Sequence, residues 1–443
     1  YGHPDYSVIS MFNYKSTIRP FILALSVVMT TLSVYAEPTY NFMVNDMCFK
    51  ILSGQDRTVS VVDYNTNQAE PSMLAIPPYV RWNNTEYTVT EVGDHAFDSS
   101  YILNLSLPNT ITRIGKYAFN QCTSLKSLTL PVNLKTIGDY AFSDCPLIPS
   151  LTIPESVDSI GEGAFRSYKF ITSLKIPDNV TYIGPDAFIG CKSLTSVSLS
   201  KNLTILSDWT FAGCQALVEI TIPDSVKEIG QGAFNKCYSL KKVTLGNQLT
   251  KIGNSAFNDC FKLTDITCPE YLTEIGDGAF LNCYRLSSVT LPKNMTAIGH
   301  DAFSGCKSLK SIKIPDGITK ISYNTFDRCS LFSEIDIPES VTRIESGAFS
   351  YLPQLSTLTI PAGVVYLGVS QLWCEKLETL YSMNPAPPAF GTIDDSGYTY
   401  IDVEKPFYRV DKSTCRLYVP KGSTKAYREA EGWKEFENII EME

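Results

Sequence analysis

What this chain of 443 residues lacks narrows its chemistry before any motif is read. It has three histidines, His3, His95 and His300, and none stands beside a candidate nucleophile. Histidine is the usual general base of nucleophilic hydrolysis, so a Ser/His or Cys/His mechanism has no footing. No C-x-x-C pair occurs among the thirteen cysteines, which removes the ordinary signature of a zinc site. There is no dense Lys/Arg cluster and the formal charge is −9, a poor basis for binding nucleic acid or an anionic membrane through counterion release. Low-complexity tracts are absent, and 44% hydrophobic against 19% charged residues is the balance of a chain that folds throughout.

What is present is a repeat. An Ala-Phe or Thr-Phe pair ends at Phe97, Phe119, Phe142 and so on to Phe349, in steps of 23 residues after a first step of 22. A fixed period of that size means a solenoid, which grows along one axis and holds most of the chain in one elongated body. Each unit contains two extended pieces. The first alternates apolar and polar residues, as in Leu217-Val218-Glu219-Ile220-Thr221-Ile222, and usually ends at a proline such as Pro223. The second is typified by Leu249-Thr250-Lys251-Ile252-Gly253, where glycine is expected to turn the chain with φ > 0. The Gly-x-x-Ala-Phe-x-x-Cys stretch that follows is expected to form a short helical or 3₁₀ corner that carries Phe inward. The fold class is therefore a mainly β repeat solenoid of about 12–13 coils, on the order of 60 Å long at a strand spacing of about 4.8 Å.

Outside the array, Met11 is followed by Lys15, Arg19, the apolar run Phe21 to Val34 and then Val34-Tyr35-Ala36 before Glu37. That is the form of a secretory signal, and its apolar core is too short for an ordinary spanning helix. We assign residues 11–36 to the signal peptide and expect export, with no transmembrane segment in the mature chain. Residues 1–10 precede the candidate initiator and stay unassigned. Residues 37–87 lack the repeat but have strand-like stretches at Tyr40–Val44 and Val59–Val62, which suits an N-terminal β cap over the exposed end of a solenoid. The repeats occupy 88–380. Ser207, Ser322 and Glu345 replace the usual glycine, and Leu372 stands at the Phe position beside Trp373 and Cys374. Residues 381–443 form a C-terminal cap module in which 381 to about 412 is an irregular connection. Arg416–Val419 is its strand, Ser423 N-caps a helix from Thr424 to Ala430, and Ile439-Ile440 returns to the core.

The unit Ile-Gly-x-x-Ala-Phe-x-x-Cys-x-x-Leu-x-x-Ile-x-Leu-Pro-x-x-Val resembles the leucine-rich repeats of the BspA family over about residues 88–380. The tail, with Asn384-Pro385-Ala386-Pro387-Pro388 and Gly432-Trp433-Lys434-Glu435-Phe436, is similar to the module that often closes such proteins in Bacteroides-type bacteria. The resemblance implies a secreted or cell-surface protein used for attachment or binding, and no catalytic residues.

Nine cysteines, from Cys122 to Cys329, fall three residues after a repeat Phe, with Tyr168 and Leu352 in the same slot of two coils. They read as a ladder of reduced, buried thiols, since parallel side chains on neighbouring rungs disfavour the disulfide dihedral. Cys48, Cys268, Cys374 and Cys415 stand outside it, and a Cys374–Cys415 bridge is left open. The polar position of the first strand is often Thr, as at Thr129, Thr152, Thr221, Thr244, Thr267, Thr290 and Thr359, which suits an exposed β surface. More telling is the residue after the ladder Cys. It is aromatic in three consecutive coils, Tyr238, Phe261 and Tyr284, with Arg285 adjacent and Lys307 on the next rung. An outward aromatic stripe can stack on a sugar or anchor a protein partner, and packing of the rings on one another is the competing reading.

The expectation is thus a non-enzymatic exported binding or adhesion protein with a protein or glycan partner, no nucleic acid, no metal and no cofactor. A structural stalk or surface-assembly element is the first alternative, and a glycan-acting enzyme using paired carboxylates the second. Burial of each repeat Phe should contribute roughly 1.5–3 kcal/mol. Phe234→Ala is expected to lower unfolding free energy by about 3–5 kcal/mol in denaturant melts, because two neighbouring coils lose a packing partner.

Overall fold

The computed structural model describes residues 40–64, 73–368, 374–393, 399–400, 407 and 409–443; residues 11–36, expected to be a signal peptide, and Leu372 with Trp373 lie outside them. From Tyr40 to Glu443 the chain is one unit, a β-solenoid of about 14 turns with almost no helix. Two parallel ladders run along it. The longer pieces stack in register as Ser173–Lys175, Ser196–Ser198, Glu219–Thr221 and Lys242–Thr244, and the two-residue pieces as Glu228–Ile229, Lys251–Ile252, Glu274–Ile275 and Ala297–Ile298. Along the two ladders the inward residue is typically buried between two that face water, as Ile220 is between Glu219 and Thr221 and Ile266 between Asp265 and Thr267. The first ladder is interrupted near Pro149. In other coils that position donates its N–H to the coil before, as Thr195 does to Thr172 at 2.8 Å, and proline has none to give.

The corner is not the continuous 3₁₀ or helical turn that its spacing predicts. Its N–H groups alternate. Ala118, Asn120 and Cys122 donate to the carbonyl three residues back, at Gly115, Tyr117 and Phe119, while Tyr117, Phe119 and Gln121 donate to Asp139, Ala141 and Ser143 of the next coil. Half of a 3₁₀ pattern survives, and the other half has become a third ladder. The alternation needs a left-handed residue on each side of Phe. Tyr117 and Gln121 (both φ +55), Asp186 (+57) and Trp209 (+56) occupy such places, as do Gly163 and Gly232.

The glycine after the second strand is needed for another reason than the one expected. Gly115, Gly138, Gly253 and their equivalents are not among the positive-φ residues. Instead a Cβ on Gly253 would stand 2.7 Å from the carbonyl carbon of Gly230 and 2.8 Å from Gln231 N. At these rungs the backbones of successive coils approach so closely that a Cβ would force one of them to shift. Where serine replaces it, at Ser207 and Ser322, the hydroxyl donates to Ile183 O and Ile298 O of the previous coil.

The third ladder fixes the spacing of the inward rings. From Phe97 to Phe349 the twelve rings form one unbroken stack, with centroids 5.2–6.0 Å apart and planes within 12° of parallel. Beside it run the thiols. Each ladder Cys donates Sγ–H to the Phe carbonyl of the preceding coil, at 3.2–3.6 Å. A thiol therefore gives a buried carbonyl, which already accepts a backbone N–H, a second partner that an alanine would not. Cys374 joins this ladder, against its position in the sequence, by donating to Phe349 O at 3.7 Å. All thirteen thiols are free and buried, including Cys374 and Cys415, so that candidate bridge is not formed. Burial drives the thiols of Cys214, Cys260 and Cys306 upward and those of Cys268 and Cys374 to about 12, which leaves these groups almost no thiolate.

Both ends continue the ladders, which accounts for more turns than the Phe count gives. Thr58–Tyr64 pairs in parallel with Thr85–Val92, and the N-terminal sheet also holds Met47–Ser53 and Tyr79–Trp82, both unanticipated in the sequence, the first lying antiparallel between Phe42–Val44 and Thr58–Tyr64. At the other end Arg416–Val419 and Asn438–Glu441 extend the first ladder. There Trp433, Phe407, Phe436, Phe390 and Tyr427 form an aromatic plug in place of the next Phe, and Trp433 Nε1 donates to Pro388 O at 2.9 Å. The helix, Thr424–Glu429, is present, but Ser423 makes no side-chain cap bond; Glu441 caps it instead, accepting from Thr424 N at 3.4 Å and from Thr424 Oγ1 at 2.7 Å. Ile439 is buried as expected whereas Ile440 faces solvent. Gly253→Ala should lower unfolding free energy by about 1–3 kcal/mol in denaturant melts, because backbone rather than side chain must move.

Candidate binding surface

The residue after each ladder Cys is aimed by the turn before it. Asp259 and Asn282 are left-handed (both φ +60), and the N–H of Phe261 and of Tyr284 returns to their carbonyls at 2.9 and 2.8 Å. Asp and Asn tolerate that conformation better than most residues. The side chains of Tyr238, Phe261, Tyr284 and Lys307 then leave the corner in the same direction on four successive rungs. Tyr238 and Phe261 stack at 5.0 Å and Phe261 and Tyr284 at 4.9 Å, each pair within 3° of parallel. Lys307 Nζ closes the series 4.4 Å above the Tyr284 ring. All three rings are half-buried and Arg285 is exposed beside them. The sequence-predicted group is thus brought together, with the rings packed face to face and their edges outward.

A second aromatic column went unread in the sequence. His95, Tyr117 and Tyr140 stack at 4.8 and 5.0 Å, two residues before successive repeat phenylalanines. Tyr140 Oη donates to Glu162, and burial with that carboxylate holds the Tyr140 hydroxyl well above its ordinary range. The same test of reading down one position of the period would have found it.

The histidines are separated as their numbering suggests. His95 Nδ1 lies 3.2 Å from Asp98. His300, nine coils on, accepts the N–H of Tyr323 at 3.2 Å and faces Glu345 at 3.8 Å. Glu345, in a glycine slot, is a buried carboxylate compensated by Lys320 at 3.4 Å and Arg343 at 3.6 Å. It also borders a cavity of about 30 Å³ lined by Phe349, Leu367, Phe390 and Phe407, in which it is the single carboxylate among the described residues. That space holds about one water and lacks the second acid a glycosidase requires. Among the described residues no group of His, Cys, Asp and Glu is arranged to hold a metal, and no helix is long and apolar enough to cross a membrane.

Parallel ladders of short strands, a stacked aromatic core and outward columns at a 23-residue period define a leucine-rich-repeat solenoid. The chain belongs to the BspA-type leucine-rich repeat family, whose repeat region matches residues 90–217, 182–310 and 273–387. Among solved structures it is similar to a leucine-rich repeat protein from Bacteroides ovatus ATCC 8483, with 26% identity over 91% of this chain and 100% of that one and a TM-score of 0.73. It is also similar to a leucine rich cell surface protein from Faecalibacterium prausnitzii A2-165, with 29% identity over 72% of this chain and 94% of that one and a TM-score of 0.50. No curated protein matches it significantly.

The corner carboxyls set one measurable property. Burial holds Asp186, Asp301 and Asp327 above the usual range, Asp327 to about 6, while Arg328 at 3.4 Å pulls Asp327 the other way. A carboxyl whose pKa rises on folding binds its proton more tightly in the folded state, so stability falls as pH rises from about 4 through about 6. Asp327→Asn should flatten the dependence of thermal midpoint on pH across that window. An unchanged slope would remove Asp327 as the titrating group.

Proposed function

We propose that this is a non-enzymatic exported protein for binding or adhesion, offering an extended rigid repeat surface to a protein or glycan partner outside the cell. The observation that carries this reading is the register of the coils. Residues 23 apart in sequence are stacked at about 5 Å on every rung, as Tyr238, Phe261 and Tyr284 are. Such a surface is ordered before it meets a partner, so association loses little conformational entropy and many modest contacts can add. The likeness to a bacterial cell-surface leucine-rich protein supports placement at the cell exterior. On this reading residues 37–87 and 381–443 are end caps for the array at 88–380, and Tyr238, Phe261, Tyr284 and Arg285 form the contact patch.

One observation favours the alternative of a stalk that assembles end to end. The outermost rungs of the first ladder, Met73–Ala75 and Asn438–Glu441, each pair on one side only among the described residues. Pull-down with the mature chain from extracellular proteins, alongside a glycan array, is expected to capture a partner that is lost on combining Tyr238→Ala with Tyr284→Ala. Unchanged capture by the double variant would eliminate the patch. A blank on both screens, with light scattering showing concentration-dependent polymers, would favour the stalk.

A further inference from the structure

The absence of a dense Lys/Arg cluster in the linear sequence is misleading, because the solenoid brings together positions a whole period apart. Four consecutive coils present the stretches 238–242, 261–265, 284–288 and 307–311 on one face. Together these hold six cations, Lys241, Lys242, Lys262, Arg285, Lys307 and Lys310, against one anion, Asp265. All six are exposed. None takes part in an ion pair among the described residues, although lysines and arginines elsewhere, such as Lys251 between Glu228 and Glu274, are paired across rungs. Glu219, the cross-rung neighbour of Lys242, does not reach it within ion-pair distance. In a chain of formal charge −9 this is a local field of opposite sign, held on a rigid wall and left uncompensated.

We infer that this face binds an acidic polysaccharide, a chain carrying a carboxylate or sulfate on its sugars. The inference rests on the display reading and deepens it by naming the partner's chemistry. Charge selects an anion, and three further features select this class. First, both faces of Phe261 and of Tyr284 and one face of Tyr238 are taken up by one another and by Lys307, which leaves a single ring face at the end of the column rather than the run of open platforms on which successive bases of a single strand stack. The ring edges that remain outward are the electropositive part of the aromatic quadrupole. Second, these are interior rungs whose backbone groups bond to neighbouring coils, so a peptide cannot add as a strand and gain main-chain hydrogen bonds. Third, the hydroxyls of Ser288 and Ser311 stand among the cations, while those of Thr264 and Ser287 already donate to Asp265 and to Thr264 O and keep their lone pairs to accept, a set that suits a partner offering hydroxyls as well as charge.

The test measures binding of the full chain to polygalacturonate, dextran sulfate, neutral dextran, polyglutamate and oligo-dT. Expected are saturable binding to polygalacturonate or dextran sulfate that weakens as salt is raised, no binding to neutral dextran, and weaker binding to polyglutamate and oligo-dT. Combining Lys262→Ala, Arg285→Ala and Lys307→Ala should weaken the acidic-glycan complex by about tenfold, about 1.4 kcal/mol. Circular dichroism and melting temperature should stay as in the parent. A charge-matched control, Lys50→Ala with Lys135→Ala and Lys421→Ala, should bind like the parent. Polyglutamate or oligo-dT binding as tightly as the glycans, equal losses in patch and control variants, or no binding to either acidic glycan would each overturn the inference. Binding of neutral dextran at this face, abolished by the same patch variant, would overturn the acidic class while leaving display intact.

Discussion

An N–H of one coil reaching a carbonyl of the next at 2.8–3.0 Å is the interaction on which the rest of this molecule depends, and at the corner it is made by the repeat phenylalanine itself. It sets the pitch. At that pitch a ring on one coil can only lie face-on against the ring of the next, the glycine after the second strand has no room for a Cβ, and a thiol three residues past the ring just reaches the preceding carbonyl. The core is therefore a consequence of backbone geometry as much as of hydrophobicity. Any residue larger or differently shaped must find its own accommodation, as Ser322 does through a hydroxyl bond and Glu345 through two cations.

The same pitch makes the outer wall. Whatever the sequence places at an outward position is copied into a column at about 5 Å, so small local biases become patterned surfaces. Side chains in such a column first satisfy one another. Tyr238, Phe261 and Tyr284 spend their faces on stacking, and Lys251 spends its charge on two glutamates. What remains for a partner is whatever the columns leave unsatisfied: ring edges, hydroxyls and cations without a neighbour of opposite sign. That remainder, rather than the mere presence of aromatic or charged residues, decides what the wall can hold.

The period, the inward phenylalanines, the thiol row and the two extended pieces were legible without coordinates, because each repeats often enough to outweigh any single exception. The ring trio was legible for the same reason. Other features were misread or unread where the physical cause acts between coils. The glycine was assigned to a positive φ that belongs in fact to residues such as Tyr117 and Trp209, since close approach of two backbones leaves no mark on one repeat read alone. Cys374 looked displaced because the chain before it departs from the period, yet it reaches Phe349 O as the others reach theirs. Of the six cations on the wall, Arg285 and Lys307 were legible beside the aromatic stripe, whereas Lys241, Lys242, Lys262 and Lys310 went unread because they are dispersed along the chain and gathered only by stacking.

By itself the sequence determined that a coil would form, how many residues it takes and which of them face inward, since burial of a periodic apolar set admits one solution at this spacing. Only the tertiary structure decided how the corner bonds, how the two ends are sealed, which ring faces are already spent and which charges stand uncompensated. Those properties depend on neighbours a full period away, and distance across rungs, not along the chain, governs hydrogen bonding, stacking and charge.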